Sequence, residues 1–208
     1  MREVLARKFR ARLQKIPESR TDRRADFELM DGDARAAVAE VKHLPYLART
    51  PENGWVPEAE GPFLVRGDNA TKRVGSFIHQ AWKQLSLYEG PKILIFVNDE
   101  SGIDVHDLEE AYQGVMRYGS KETGYLYNTV SAPIANGRIR ETKGLIDLYI
   151  WLDRRYGEGT PVQVFPAGGV PSTEMRTEGP LFRCTTSVGR ALAQRFFHCP
   201  ELAGTANE

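Results

Sequence analysis

Hydrophobic and polar positions change period several times along this chain. Val4, Leu5, Phe9, Leu13 and Ile16 recur at helical spacing with Arg and Lys between them, which predicts a helix over 2–16 closed by Pro17. Residues 25–31 and 34–42 alternate with a period of two, and Asp31-Gly32-Asp33 between them is turn chemistry, so a β-hairpin is expected. Residues 44–70 are rich in Pro, Gly and charge and predict a long irregular loop. Helical spacing returns over 71–88, with Val74, Phe77, Ile78, Ala81, Trp82 and Leu85 as the apolar stripe and Gly90-Pro91 as the stop. KILIFVND at 92–99 is a nearly unbroken apolar run, the pattern of a strand covered on both faces. Further on, 104–116 predicts a helix, 145–153 and 161–166 predict strands, and 186–199 predicts a closing helix with a Thr or Ser cap. The order of helix, two strands, helix and strand defines an α/β protein with a mixed central sheet flanked by helices.

Composition narrows the picture. At 208 residues, 41% hydrophobic and 10% aromatic, the chain has enough apolar material for a real core, which excludes a disordered polymer. The length fits one domain spanning 1–208, with a core over 1–100 and an elaboration over 101–208 that completes the sheet. Cys184 and Cys199 have no metal-type spacing and read as reduced thiols. No stretch approaches the roughly 18 apolar residues of a membrane span, and no apolar leader block opens the chain, so the expectation is a cytoplasmic protein with no membrane partner. Formal charge is zero overall, yet residues 1–24 carry nine Lys or Arg against three acids. That segment is either a solvated helix face or a phosphate-binding one, with Arg7, Arg10, Arg12, Arg23 and Arg24 as the candidate contacts.

Three charges change the question from fold to chemistry. Asp26, Glu40 and Lys42 lie in or beside the apolar hairpin strands. Residues two apart on a strand share a face, so Glu40 and Lys42 point the same way and Val41 points into the core. A three-residue loop, Asp31-Gly32-Asp33, sets Met30 against Ala34 and puts Asp26 on the face of Glu40 and Lys42. A two-residue loop turns Asp26 to the other face, so chemistry requires an odd-numbered loop or a bulge of equal effect. Two carboxylates on one spot repel each other unless a cation compensates. Lys42 supplies one charge, and a hard divalent ion, for which carboxylate oxygens are the preferred ligands, supplies more. A lysine beside such an ion can orient water or stabilise a phosphate, which is a route to phosphodiester hydrolysis.

Asp26, a turn, then Glu40-Val41-Lys42 resembles the signature of the PD-(D/E)XK nuclease superfamily, and the order of helix, hairpin, helix and strand resembles its restriction-endonuclease-like core. Gln84-Leu85-Ser86-Leu87-Tyr88 resembles the Q-x-x-x-Y motif of the RecB-like exonuclease branch. The resemblance covers about residues 1–100. It implies a Mg²⁺-dependent deoxyribonuclease, with Mn²⁺ able to substitute, in which Asp26, Glu40 and the Val41 carbonyl hold the metal. Lys42 positions the attacking water, Gln84 steadies the site, and Tyr88 helps hold a DNA strand. The proline that usually precedes the first aspartate is Ala25 here. A further glutamate of the family has Glu3 and Glu18 as candidates, which leaves one or two metals open. Many relatives dimerise, so a homodimer is possible.

Other residues have plainer readings. His43 points away from the site by alternation, and His79 and Gln80 are ordinary helix residues. Asp147 and Asp153 flank an apolar strand as caps or as a second cluster, and Trp55, Trp82 and Trp151 read as core anchors. Glu40 with Lys42 could also be an ion pair on an exposed strand. Two other functions remain open at this point: a non-catalytic nucleic-acid-binding or assembly module on the same fold, and a hydrolase of small phosphate compounds.

Overall fold

The computed structural model describes residues 12–18, 24–46, 55–57, 64–66, 69–100, 102–113, 115–119, 126–130, 139, 141–142, 144–154, 164–165, 181–184 and 187–197. The strands are β1 (Arg12–Lys15), β2 (Phe27–Asp31), β3 (Ala34–Leu44), β4 (Trp55–Pro57), β5 (Leu64–Arg66), β6 (Lys92–Asn98), β7 (Val115–Gly119), β8 (Leu126–Val130), β9 (Leu148–Asp153), β10 (Val164–Phe165) and β11 (Leu181–Cys184). The helices are α1 (Asn69–Leu85), α2 (Val105–Gln113) and α3 (Ser187–Phe197). One mixed sheet runs in the order β1-β2-β3-β6-β9-β11-β10. The first three strands form an antiparallel meander, β3, β6 and β9 are parallel, and β11 returns antiparallel to β9. This is an α/β architecture. No described helix is long and apolar enough to cross a membrane.

Strand alternation decides the layers. Ile93, Ile95 and Val97 of β6 join Leu148, Ile150 and Leu152 of β9 on one face, which α3 covers with Leu192, Ala193 and Phe196. Leu94, Phe96, Tyr149 and Trp151 face the other way, under Val74, Ile78, Ala81 and Leu85 of α1 and Leu108 and Ala111 of α2. All six residues of β9 and six of the seven of β6 are therefore buried, as an apolar run with no polar alternation requires.

The hairpin departs from the expected loop and still meets its condition. Asp31 pairs with Ala34, so the loop is the two residues Gly32-Asp33 rather than three. By itself that register would turn Asp26 away from Glu40. A bulge corrects it: Met30 pairs with Arg35 but Leu29 with Ala37, leaving Ala36 as the extra residue. Phe27 then pairs with Ala39, and the register extends to set Asp26 opposite Glu40. Gly32 sits at φ 62°, the left-handed region such a tight turn needs.

Several expectations are corrected. The helix expected over 2–16 is a strand where it is described, because Arg12–Lys15 pairs with β2. Leu13 and Ile16, three apart, suit a helix stripe locally, but the open edge of β2 offers backbone partners that local propensity does not outweigh. Residues 2–11, with Glu3, Arg7 and Arg10, lie outside the described residues, as does Arg23. Within 44–70, Trp55–Pro57 and Leu64–Arg66 form an antiparallel pair where an irregular loop was expected. The β7–β8 pair and β11 are additions. The helix predicted over 71–88 runs Asn69–Leu85, so Tyr88 lies past its end, where its N–H bonds to the Leu85 carbonyl at 3.1 Å.

A Cβ added at Gly32 meets no atom within 4 Å, so Gly32→Ala tests the backbone cost alone. It is expected to lower unfolding free energy by about 1 kcal/mol, with Gly32→Asn costing less, measured by urea denaturation.

Candidate active site

Glu40 and Lys42 sit in β3, the junction strand between the antiparallel meander and the parallel strands. They occupy the α1 face, between the buried Val38 and Leu44. Beside them in β6 stand Leu94 and Phe96, paired with Glu40 and Lys42 in register. A carboxylate and an ammonium group are thus inserted into an apolar layer, where each is costly without partners.

The partners are present. Lys42 Nζ donates to Glu40 Oε1 at 2.6 Å and to Gln84 Oε1 at 2.8 Å. Gln84 lies in the last turn of α1, and its Nε2 donates to the Arg24 carbonyl at 3.0 Å. The Val41 N–H donates to Asp26 Oδ2 at 2.8 Å, which pins this carboxylate to β3 from a bend just before β2. Asp26, Glu40, Lys42 and Gln84 therefore form one connected cluster. Glu40 is only 2% exposed, whereas Asp26, Lys42 and Gln84 are half-buried and form the outer rim.

Glu40 carries the electrostatic strain. Burial pushes its carboxyl up from 4.5 to about 7. The Lys42 hydrogen bond opposes this, and the Asp26 charge adds to it. Desolvation wins over the ion pair, as expected where one ammonium group faces two carboxylates in an apolar layer. Oε2 of Glu40 is buried with no hydrogen-bond partner among the described residues.

That orphaned oxygen tests whether the residues suit a divalent cation. Carboxylate and carbonyl oxygens in excess of the available positive charge, with a buried lone pair unsatisfied, are the donor set a hard cation prefers, so the residues fit. Asp26 and Glu40, with Val41 supplying backbone oxygen, are the residues that would hold it. Among the described residues no cluster of three His, Cys, Asp or Glu side chains stands together, so the described side chains would offer such an ion two carboxylates.

The remaining candidates separate. Glu18 is bound at 2.6 Å by Lys15 and is 85% exposed at its side chain, and that contact lowers its pKa. It stands apart from the cluster as a surface pair. Tyr88 packs, half-buried, against the α1-side core. Arg24 contributes its backbone carbonyl to the cluster, a role that a sequence pattern of side chains does not encode. Asp147 caps β6 by accepting the Lys92 N–H at 2.9 Å, and Asp153 lies 3.4 Å from Asn98 Nδ2. Trp151 is a core residue, 3% exposed, with its ring 5.4 Å from that of Phe96. His43 points away from the cluster, as alternation requires, and meets Asp99 at 2.7 Å. Asp99 also takes Arg154 at 3.3 Å, so one carboxylate ties the ends of β3, β6 and β9.

No family model, no curated protein and no solved structure matches this chain.

Glu40 makes stability depend on pH. Its folded pKa, about 7, lies above the unfolded 4.5, so the folded state holds the proton more tightly. The cost of ionising it is absent below 4.5 and fully present above 7. The shift is worth on the order of 3 kcal/mol. In chelator, Glu40→Gln is expected to be more stable than the parent at pH 8 by about 1–3 kcal/mol, less where Lys42 misses its partner. The advantage shrinks towards pH 4.5, as the difference between the two denaturation curves measures.

Proposed function

We propose that this chain is a divalent-metal-dependent nuclease of PD-(D/E)XK type that hydrolyses phosphodiester bonds in DNA. The observation that carries the reading is the bridging of Glu40 and Gln84 by Lys42, with Asp26 opposite Glu40 across the hairpin. The hairpin, α1 and β6 follow one another in the order that a restriction-endonuclease-like core has, which supports the same reading.

In the reaction a water oxygen bonds to phosphorus and the P–O bond to the leaving alcohol breaks. The water loses one proton and the leaving oxygen gains one. A Mg²⁺ or Mn²⁺ ion held by Asp26, Glu40 and Val41 would supply charge to the phosphate and acidify the water. Lys42 has three N–H donors, two of them used by Glu40 and Gln84. The third holds a water or phosphate oxygen. Held by Glu40 and Gln84, Lys42 orients the attacking water and stabilises charge on the phosphate. Gln84 is a positioning residue. Its amide spans from the Arg24 carbonyl to Lys42, so the lysine keeps its direction when substrate charge enters. Asp26, fixed by the Val41 N–H on one oxygen, has the other to offer.

Cleavage of labelled single- and double-stranded DNA with Mg²⁺ or Mn²⁺ is the test. Lys42→Ala is expected to abolish it and Asp26→Asn to lower it by at least about 100-fold. Gln84→Ala is expected to lower it about tenfold, chiefly in kcat. Full activity in Lys42→Ala overturns the mechanism. Mn²⁺ is expected to raise the melting temperature of the parent and not of Asp26→Asn. Persistent DNA binding with no divalent-ion effect would instead identify a non-catalytic module.

A further inference from the structure

We infer that Lys42 stands in for a second metal ion, so that the cluster takes a single divalent cation on the two carboxylate oxygens the described chain leaves free, Asp26 Oδ1 and Glu40 Oε2. The inference rests on the metal site of the nuclease reading above and deepens it, by fixing how many ions the site takes and which atoms it offers them.

Lone pairs decide the count. Lys42 Nζ takes Oε1 of Glu40 at 2.6 Å, and the Val41 N–H takes Oδ2 of Asp26 at 2.8 Å. Among the described residues, Asp26 Oδ1 and Glu40 Oε2 make no hydrogen bond. Glu40 Oε2 is the weightier of the two, because its side chain is buried, with the residue only 2% exposed. The Asp26 N–H eases the Glu40 charge, yet closes no hydrogen bond to that oxygen. A buried carboxylate oxygen in this condition calls for a partner. Each carboxylate therefore offers one oxygen. Paired ions in two-metal sites lie about 3.5–4 Å apart, a spacing that a bridging carboxylate spans with both of its oxygens. Glu40 is barred from bridging while Lys42 holds Oε1. Gln84 keeps the lysine there: its Nε2 is engaged by the Arg24 carbonyl, which turns its Oε1 toward the ammonium group. A neutral amide at this position steadies Lys42 without adding a carboxylate for a second ion.

Charge gives the same count. With the metal bound and both carboxylates ionised, Asp26, Glu40 and Lys42 carry one net negative charge between them. One divalent ion reverses this to one positive charge, which the single charge of a phosphodiester cancels. A second ion leaves two further positive charges beside Leu94 and Phe96, in an apolar layer where uncompensated charge is costly.

The experiment counts bound Mn²⁺ by electron paramagnetic resonance and measures its affinity by calorimetry, in the parent, Lys42→Met, Lys42→Arg and Glu40→Gln. The parent is expected to bind one Mn²⁺ per chain, with the spectrum of an isolated ion. Lys42→Met removes the competing charge and frees Oε1 of Glu40, so it is expected to bind Mn²⁺ at least about tenfold more tightly. Lys42→Arg, which keeps the charge, is expected to stay close to the parent. Glu40→Gln is expected to bind at least about tenfold more weakly, which locates the ion. Two ions per parent chain, or a spin-coupled pair, overturns the inference, and this count decides the case even if Lys42→Met fails to fold. Unchanged or weaker binding by folded Lys42→Met also overturns it, as does full affinity in Glu40→Gln. Two ions with DNA cleavage intact leaves the nuclease reading standing without this inference. One ion with the expected affinities and no cleavage overturns the nuclease reading and leaves the single-ion site standing.

Discussion

The ion pair between Glu40 and Lys42 is the constraint on which this site depends. β3 lies inside the sheet, with neighbours on both sides and helices over both faces, so apolar residues are expected throughout it. Two charges are placed there instead, and Lys42 answers only one of the two carboxylates near it. The residual imbalance shows in the raised Glu40 pKa and in its orphaned Oε2. A sheet selected for stability alone would replace this set by hydrocarbon, because breaking even from a buried ion pair is difficult. A buried carboxylate with one oxygen unsatisfied among the described residues is a departure from local rules of the kind found at functional sites.

Support from α1 turns that imbalance into a defined geometry. The helix covers the sheet with its apolar stripe, which fixes where its last turn lies. Gln84 then reaches Lys42 with one end of its amide and the Arg24 backbone with the other. The segment entering β2, the strand carrying the charges and the helix are joined through a single side chain. On the reverse side, Asp99 joins His43 and Arg154 at the ends of three parallel strands. The C-terminal ends of these central strands are therefore tied on the face away from the cluster.

Much of this was legible in the residue pattern, for identifiable reasons. KILIFVN and LYIWLD announce central strands because burial on both faces removes polar alternation. The partnership of Glu40 with Lys42 follows from parity, whereas Gln84 stands out only through the resemblance of residues 84–88 to the Q-x-x-x-Y motif. The strand at Arg12–Lys15 was not legible, because four residues with one buried leucine carry no period of their own and pairing with β2 decides their form. The β7–β8 pair and β11 are likewise short, and tertiary pairing outweighs local propensity there. The Ala36 bulge is invisible for a different reason: Arg35-Ala36-Ala37 suits either register, so only the pairing on both sides reveals it.

That bulge has an evolutionary consequence. Since the loop and the irregular strand together fix which side of the sheet the first aspartate serves, hairpin length is quantised. Gain or loss of one residue anywhere between Asp26 and Glu40 inverts the arrangement, while a change of two, or paired changes that cancel, preserves it. Homologues that retain this cluster should differ in their connecting segment by even steps, or show a compensating irregularity in one strand, and an uncompensated odd-numbered indel would mark a lineage in which the cluster itself is lost.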